Sequence, residues 1–230
     1  MMPLGILGGA KLNTVSPVIN YLGSQGTTPT ANFSLPSGTR FIISIVYGYS
    51  TSSAKTITLG AGWNVLYNGA PVAGETGYFQ HLVAVSTSST PSTSFSISGG
   101  TPFVWAAQVW GINNVPTNTE FARSNGQLSG GTWPSTNAPV VTTSLASALF
   151  YFQAYQFDDT ASPVDNETFP TNLTNTQSIL QEGVGSNWRQ RTGYILQSSP
   201  GASPTTTWVA GGGDAQIWGW QLATVGISLT

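Results

Sequence analysis

The apolar residues of this chain come in runs of strand length and never longer. The longest, Phe41 to Tyr49 and Ala146 to Ala154, span nine residues each, half of the ~18 that a membrane helix needs. Between the runs, every 8 to 15 residues, stand clusters of Gly, Pro, Asn, Ser and Thr, which are the residues of tight turns. Apolar positions recur with period two or in short continuous stretches, a pattern of many short strands with no sustained helical period. The spacing predicts thirteen strands, at 15–21, 40–49, 56–59, 63–68, 77–86, 93–98, 103–112, 139–144, 147–157, 176–182, 192–198, 205–210 and 214–223. Turn signals such as Asn68-Gly69, Gly99-Gly100 and Gly130-Gly131 separate them. The expected fold is therefore all-β, a two-sheet antiparallel β-sandwich of jelly-roll type with about 12–13 strands.

Three segments define faces. In Phe103-Val104-Trp105-Ala106-Ala107-Gln108-Val109-Trp110 both alternating faces are largely apolar, so this reads as a central strand. In Leu149-Phe150-Tyr151-Phe152-Gln153-Ala154-Tyr155, Phe150, Phe152 and Ala154 share one face. The opposite face, with Tyr151 and Tyr155, is expected to accept partial solvent through the phenolic tips. In Gln216-Ile217-Trp218-Gly219-Trp220-Gln221-Leu222, the tryptophans and Leu222 line one face, which is expected to close the sandwich.

Two stretches lack a pattern. Residues 1–14, rich in Gly and small apolar residues, read as an N-terminal arm ordered by a neighbouring subunit, leaving 15–230 as a single domain. Residues 113–138, with Pro116, Gly126, Gly130, Gly131 and Pro134 around Trp133, read as a long loop, and loops of that length are usually functional or interfacial.

Polarity is supplied by hydroxyls rather than by charge. The 230 residues carry six Lys plus Arg and eight Asp plus Glu, 6% against about 25% in an ordinary domain, while 30 Thr and 27 Ser make up about a quarter of the chain. Disorder is excluded, because disordered chains pair high charge with few aromatics. A net charge of −2 without a cationic cluster excludes nucleic acid, whose phosphates need several convergent cations. The start of the chain has no signal-peptide pattern, and the absence of Cys fits assembly in a reducing cytoplasm. A free monomer normally keeps a well-charged surface. Interfaces are instead depleted in Lys, Glu and Asp and enriched in aromatics, so the missing charge reads as a surface covered by other protein.

Candidate sites are few. The lone His81 titrates near neutral pH in isolation, but it shares a strand face with Phe79, Val83 and Val85 and reads as a hydrogen-bonded core residue rather than a general base. The loop 158–175 carries Asp158, Asp159, Asp165 and Glu167, half of the acidic residues. It has three readings: a solvated loop, a calcium site offering several of the about six to eight oxygens that ion takes, or a glycosidase pair with carboxyls about 5 to 9.5 Å apart. Trp188 with Arg189 and Arg191 can stack on a sugar, meet a neighbouring subunit or line a plain strand edge. Trp63, Trp133 and Trp208, near turns, suit carbohydrate if exposed and core packing if not. No other cofactor or metal is implied.

The order of motifs adds to this. Leu35-Pro36-Ser37-Gly38 leads into Phe41-Ile42-Ile43-Ser44-Ile45, followed by Gly62-Trp63, Tyr78-Phe79-Gln80-His81-Leu82, Trp105 to Ile112, Pro139-Val140-Val141, Thr192-Gly193-Tyr194 and Trp218-Gly219-Trp220-Gln221-Leu222. Over residues 33 to 225 this order resembles β-sandwich proteins of tailed-bacteriophage virions, of the minor tail, appendage or decoration type. The chain departs from that pattern at Gly38-Thr39-Arg40-Phe41, where the family often has a Gly-Asp-Leu-like step. The resemblance implies a non-enzymatic structural protein of the virion, assembled in the host cytoplasm as a homo-oligomer, a trimer above all, among other virion proteins. Adhesion to a host-surface glycan would join that role. The alternatives are a capsid decoration or cement protein, a free carbohydrate-binding module, and a glycoside-active enzyme using the acidic loop. No membrane partner is expected.

Overall fold

The computed structural model describes residues 15–18, 30–49, 55–73, 77–98, 103–112, 118–131, 135–157, 169–183, 186–208 and 217–228. Among them are eighteen strands and no helix. The first half of the chain supplies β1 (Val15–Val18), β2 (Thr30–Asn32), β3 (Arg40–Tyr49), β4 (Ile57–Leu59), β5 (Trp63–Asn68), β6 (Val72–Ala73), β7 (Tyr78–Ser86), β8 (Ser94–Ile97) and β9 (Phe103–Ile112). The second half supplies β10 (Thr119–Gly131), β11 (Thr136–Asn137), β12 (Thr142–Thr143), β13 (Ser147–Phe157), β14 (Thr174–Gly183), β15 (Ser186–Gln197), β16 (Gly201–Ala202), β17 (Thr207–Trp208) and β18 (Ile217–Ser228). The arm expected over 1–14 lies outside the described residues.

Two antiparallel sheets form the sandwich, and each is drawn from one half of the chain. The first has the order β1-β9-β3-β7-β5, with β6 beside β7, and the second β10-β18-β13-β15-β14. A three-stranded sheet, β2-β8-β4, covers the outside of the first sheet, and the short ladders β11-β17 and β12-β16 accompany the second. The result is four layers where a domain usually has two or three.

That layering explains the continuous apolar runs. In β3 every residue from Phe41 to Tyr49 is buried, because odd positions pack outward and even positions inward. Phe41, Ile43, Ile45 and Tyr47 meet Phe33, Ile57, Phe95 and Ile97 of the first cover. Ile42, with Val83, Val85 and Trp110, meets Phe150, Phe152, Val225 and Ile227 of the second sheet. The outer face of that second sheet is covered as well. Leu149, Tyr151 and Leu222 pack with Ala138, Val141 and Trp208, so Tyr151 and Tyr155 are buried rather than partly solvated as expected. The face of β18 that closes the sandwich is Ala223, Val225 and Ile227. Trp220 and Leu222, expected there, lie under the outer cover instead.

The expected long loop at 113–138 contains the thirteen-residue strand β10. Its polar, Gly-containing sequence has no period-two signal because β10 is an edge strand, paired with β18 alone. Thr119 to Gln127 runs in register with Ile227 to Gly219, and the register shifts between Gln127 and Gly131.

The main-sheet strands of the two halves repeat one path, edge strand, central strand, opposite edge with its neighbour, last strand, while the cover strands are placed differently, β4 falling between β3 and β5. In both, the last strand slots between the first and the centre. The registers give the equivalences. Ile42 pairs with Trp110 and Val85, and Phe150 pairs with Val225 and Tyr194. Packing between the sheets obeys the same exchange, with β9 against β14 and β18 against β6. Gly111 and Gly226 are counterparts, and each lets the segment entering its central strand cross closely. A Cβ at Gly111 would strike the Ser37 carbonyl, and one at Gly226 would lie 3.1 Å from the Thr143 methyl. In that register the sequence signal for this duplication is faint: Trp105 stands against Trp220 and Gly111-Ile112 against Gly226-Ile227.

Candidate functional site

Of the residues singled out from sequence, Asp158, Asp159, Asp165, Glu167 and Trp133 lie outside the described residues. Among the described residues no group of three or more His, Cys, Asp or Glu gathers to hold a metal. Trp188, Arg189 and Arg191 are described, and all three are buried, Trp188 to 3% exposure and Arg191 to 1%. The reason is that β15 starts at Ser186, six residues before the strand expected at 192, and runs beside the central β13. Gln156, Tyr155 and Gln153 pair with Trp188, Arg189 and Arg191. Trp188 faces inward among Val46, Val72, Phe79 and Ala154, with its ring over Gly48 where a Cβ would collide. Its faces are closed to a sugar. Arg191 points outward beneath the cover, its guanidinium 4.4 Å from the Phe169 ring centroid and 5.5 Å from that of Trp208. Nη1 of Arg191 donates to Gln153 Oε1 at 3.3 Å. Trp208 is fully buried, and the half-buried Trp63 donates Nε1–H to the Ser92 carbonyl at 2.8 Å and packs edge-on to Phe33.

Between the sheets lies a polar centre that sequence alone did not bring together. His81 of β7 and Gln190 of β15 occupy counterpart positions, opposite Val46 and Ala154 of the two central strands. Both reach Ser44. Gln190 Nε2 donates to the Ser44 carbonyl at 2.9 Å and also to its hydroxyl. Ser44 Oγ lies 2.6 Å from His81 Nε2. The hydroxyl has one proton to donate and two lone pairs to accept with, so it bridges the amide and the imidazole, and the tautomer of His81 sets which of Oγ and Nε2 donates. The Tyr67 and Phe152 rings stand edge-on at 5.8 and 6.5 Å. Burial lowers the His81 pKa from 6.5 to about 3, because the surrounding layer cannot solvate an imidazolium. Ser44 and His81 have the spacing of a nucleophile and its base, yet both are completely buried, and so low a proton affinity makes His81 a poor base at neutral pH. What the arrangement does is tie the two sheets together.

An open cavity lies at one corner of the same interlayer, where the edge strands β5 and β10 face each other. Its volume is about 340 Å³, and its lining includes Arg40, Asn64, Leu66, Val85, Asn118, Thr119 and Ile227. Arg40 opens β3, so its side chain stands at the sheet end, half-buried. Nη1 donates to the Ser86 carbonyl at 3.2 Å, the single hydrogen bond of this guanidinium among the described residues. Phe41 N, next in the chain, donates to Ser86 Oγ at 2.9 Å, which fixes the strand end on which Arg40 sits. Asn118 is held at the rim, its Nδ2 donating to Ser144 Oγ at 3.3 Å.

No helix of the described residues is long and apolar enough to cross a membrane. No family model, curated protein or solved structure matches this chain.

Proposed function

We propose that this chain is a non-enzymatic structural protein of a bacteriophage virion, of the minor tail or surface-appendage kind, which assembles as a symmetric homo-oligomer. The observation that carries the reading is the free edge of the first sheet. Among the described strands β5 pairs with β7 alone; it contains no charged residue and exposes Val65 to 44%. Proteins that remain monomeric blunt such edges with charged residues, Pro, bulges or a covering segment, and of these devices β5 shows among the described residues a register shift against β7 between Val65 and Tyr67 but neither charge nor Pro. In a chain with 14 charges in 230 residues an uncharged edge suits pairing with another copy or with a neighbouring virion protein. The order of motifs from Leu35-Pro36-Ser37-Gly38 to Trp218-Gly219-Trp220 supplies the virion setting.

Light scattering on the purified chain tests assembly. The expected species is an oligomer at micromolar concentration, and Val65→Lys is expected to shift it toward monomer without lowering the melting temperature. A strictly monomeric wild type overturns the oligomer. Mass spectrometry of separated head and tail fractions tests the setting: presence in tails supports the appendage role, presence in heads replaces it by decoration, and absence from virions overturns both.

A further inference from the structure

We propose that the Arg40 corner is a binding site for an acidic sugar unit, a hydroxylated ring bearing one carboxylate. The internal duplication gives this corner a counterpart that is packed differently. At the counterpart corner Trp110, Phe150 and Tyr194 fill the interlayer, with ring centroids 5.6 to 5.8 Å apart. Their counterparts at the Arg40 corner are Val225, Ile42 and Val85. Three aromatics are matched by three aliphatics, of which Val85 lines the cavity. The one cation follows the same asymmetry. Ile112 pairs with Arg40 and its counterpart Ile227 pairs with Ala148, so Ala148 stands where a counterpart of the guanidinium would be.

The lining matches the ligand class. A guanidinium has about five N–H donors in a planar fork that fits a carboxylate, and Arg40 spends one of them on Ser86. Asn64, Thr87, Asn118 and Thr119 offer neutral donors and acceptors for hydroxyls, while Leu66 and Ile227 supply an apolar wall for ring C–H groups. The volume is at the lower end of the ~300–1,000 Å³ of small-molecule pockets, enough for a single ring. A single cation among the described lining residues suits a singly charged carboxylate better than a phosphate.

This inference stands apart from assembly, since the corner is complete within one chain. Saturation-transfer NMR on the full chain, with sodium glucuronate and glucose as probes, tests it. Glucuronate is expected to bind and glucose to bind more weakly. Arg40→Gln is expected to weaken glucuronate about tenfold, the loss of one charge-assisted contact, with an unchanged melt. Val85→Tyr, which copies the closed corner, is expected to abolish it. If Arg40→Gln does not fold, Asn118→Ala at the exposed rim takes its place and is expected to weaken glucuronate. Absence of glucuronate binding to the wild type, equal binding of glucose, or unchanged affinity in the folded variants overturns the site.

Discussion

At the scale of single residues, His81 is the most consequential choice in the sequence. A buried imidazole hydrogen-bonded through Ser44 to Gln190 stays neutral in the folded protein while the unfolded chain titrates near 6.5. With the folded pKa lowered to about 3, the unfolded state binds the extra proton between those values. Stability is therefore full above about pH 6.5 and falls with acidification, by ~1.4 kcal/mol per pH unit, until the folded pKa is reached. Carboxylates add their own effects below about pH 5, so the window from about 5 to 6.5 isolates the imidazole. Urea denaturation across that window is expected to show this slope in the wild type and a flat profile in His81→Gln, which places at β7 the residue its counterpart position already holds. A slope that survives the substitution would assign the acid sensitivity elsewhere.

At the scale of elements, burial on both faces decides what could be read in advance. Strands β3, β9 and β13 were legible to the residue as apolar runs of strand length bounded by turn residues, and the edge strand β5 through the turn signals Gly62 and Asn68-Gly69 at its ends. β10 was not, since an edge strand needs no apolar period and takes its order from the β18 ladder. The cover over the second sheet was also hidden: two-residue ladders such as β11-β17 leave no periodicity, and only the burial of Tyr151, Gln153 and Arg191 reveals them. The same gap explains why Trp188, Arg189 and Arg191 read as surface. Arg40 was noted only as a departure from a motif, because its role depends on a corner that residues far apart in the chain build. The cover is held by Trp208, fully buried and packed edge-on to Phe169 at 6.2 Å. Trp208→Ala is expected to cost ~3–5 kcal/mol, read as a lower urea midpoint, with Tyr151 becoming accessible to quenchers. A cost below about 1 kcal/mol would mean that the cover contributes little.

At the scale of the whole molecule, the duplicated halves raise the question of whether they unfold as one body or two. Each half has its own sheet and outer cover, which favours independence. Against that stands the shared interlayer. Separation would expose Ile42, Val83, Val85 and Trp110 on one side and Phe150, Phe152, Val225 and Ile227 on the other, and each such side chain loses ~1.5–3 kcal/mol when stripped of cover. It would also pull the Trp188 ring off Gly48, break the Gln190 hydrogen bonds to Ser44, and part Gln221 Nε2 from the Ala70 carbonyl at 2.7 Å. For the eight side chains that is about 12–24 kcal/mol, comparable with or above the ~5–15 kcal/mol that holds a typical domain, which favours the halves unfolding together. Scanning calorimetry is accordingly expected to give one transition with calorimetric and van't Hoff enthalpies equal. Gly48→Val, which forces the Trp188 ring outward, is expected to lower that single transition rather than split it. Two resolved transitions, or a calorimetric enthalpy about twice the van't Hoff value, would show instead that the halves keep separate cores and that the interlayer is a docking surface between them.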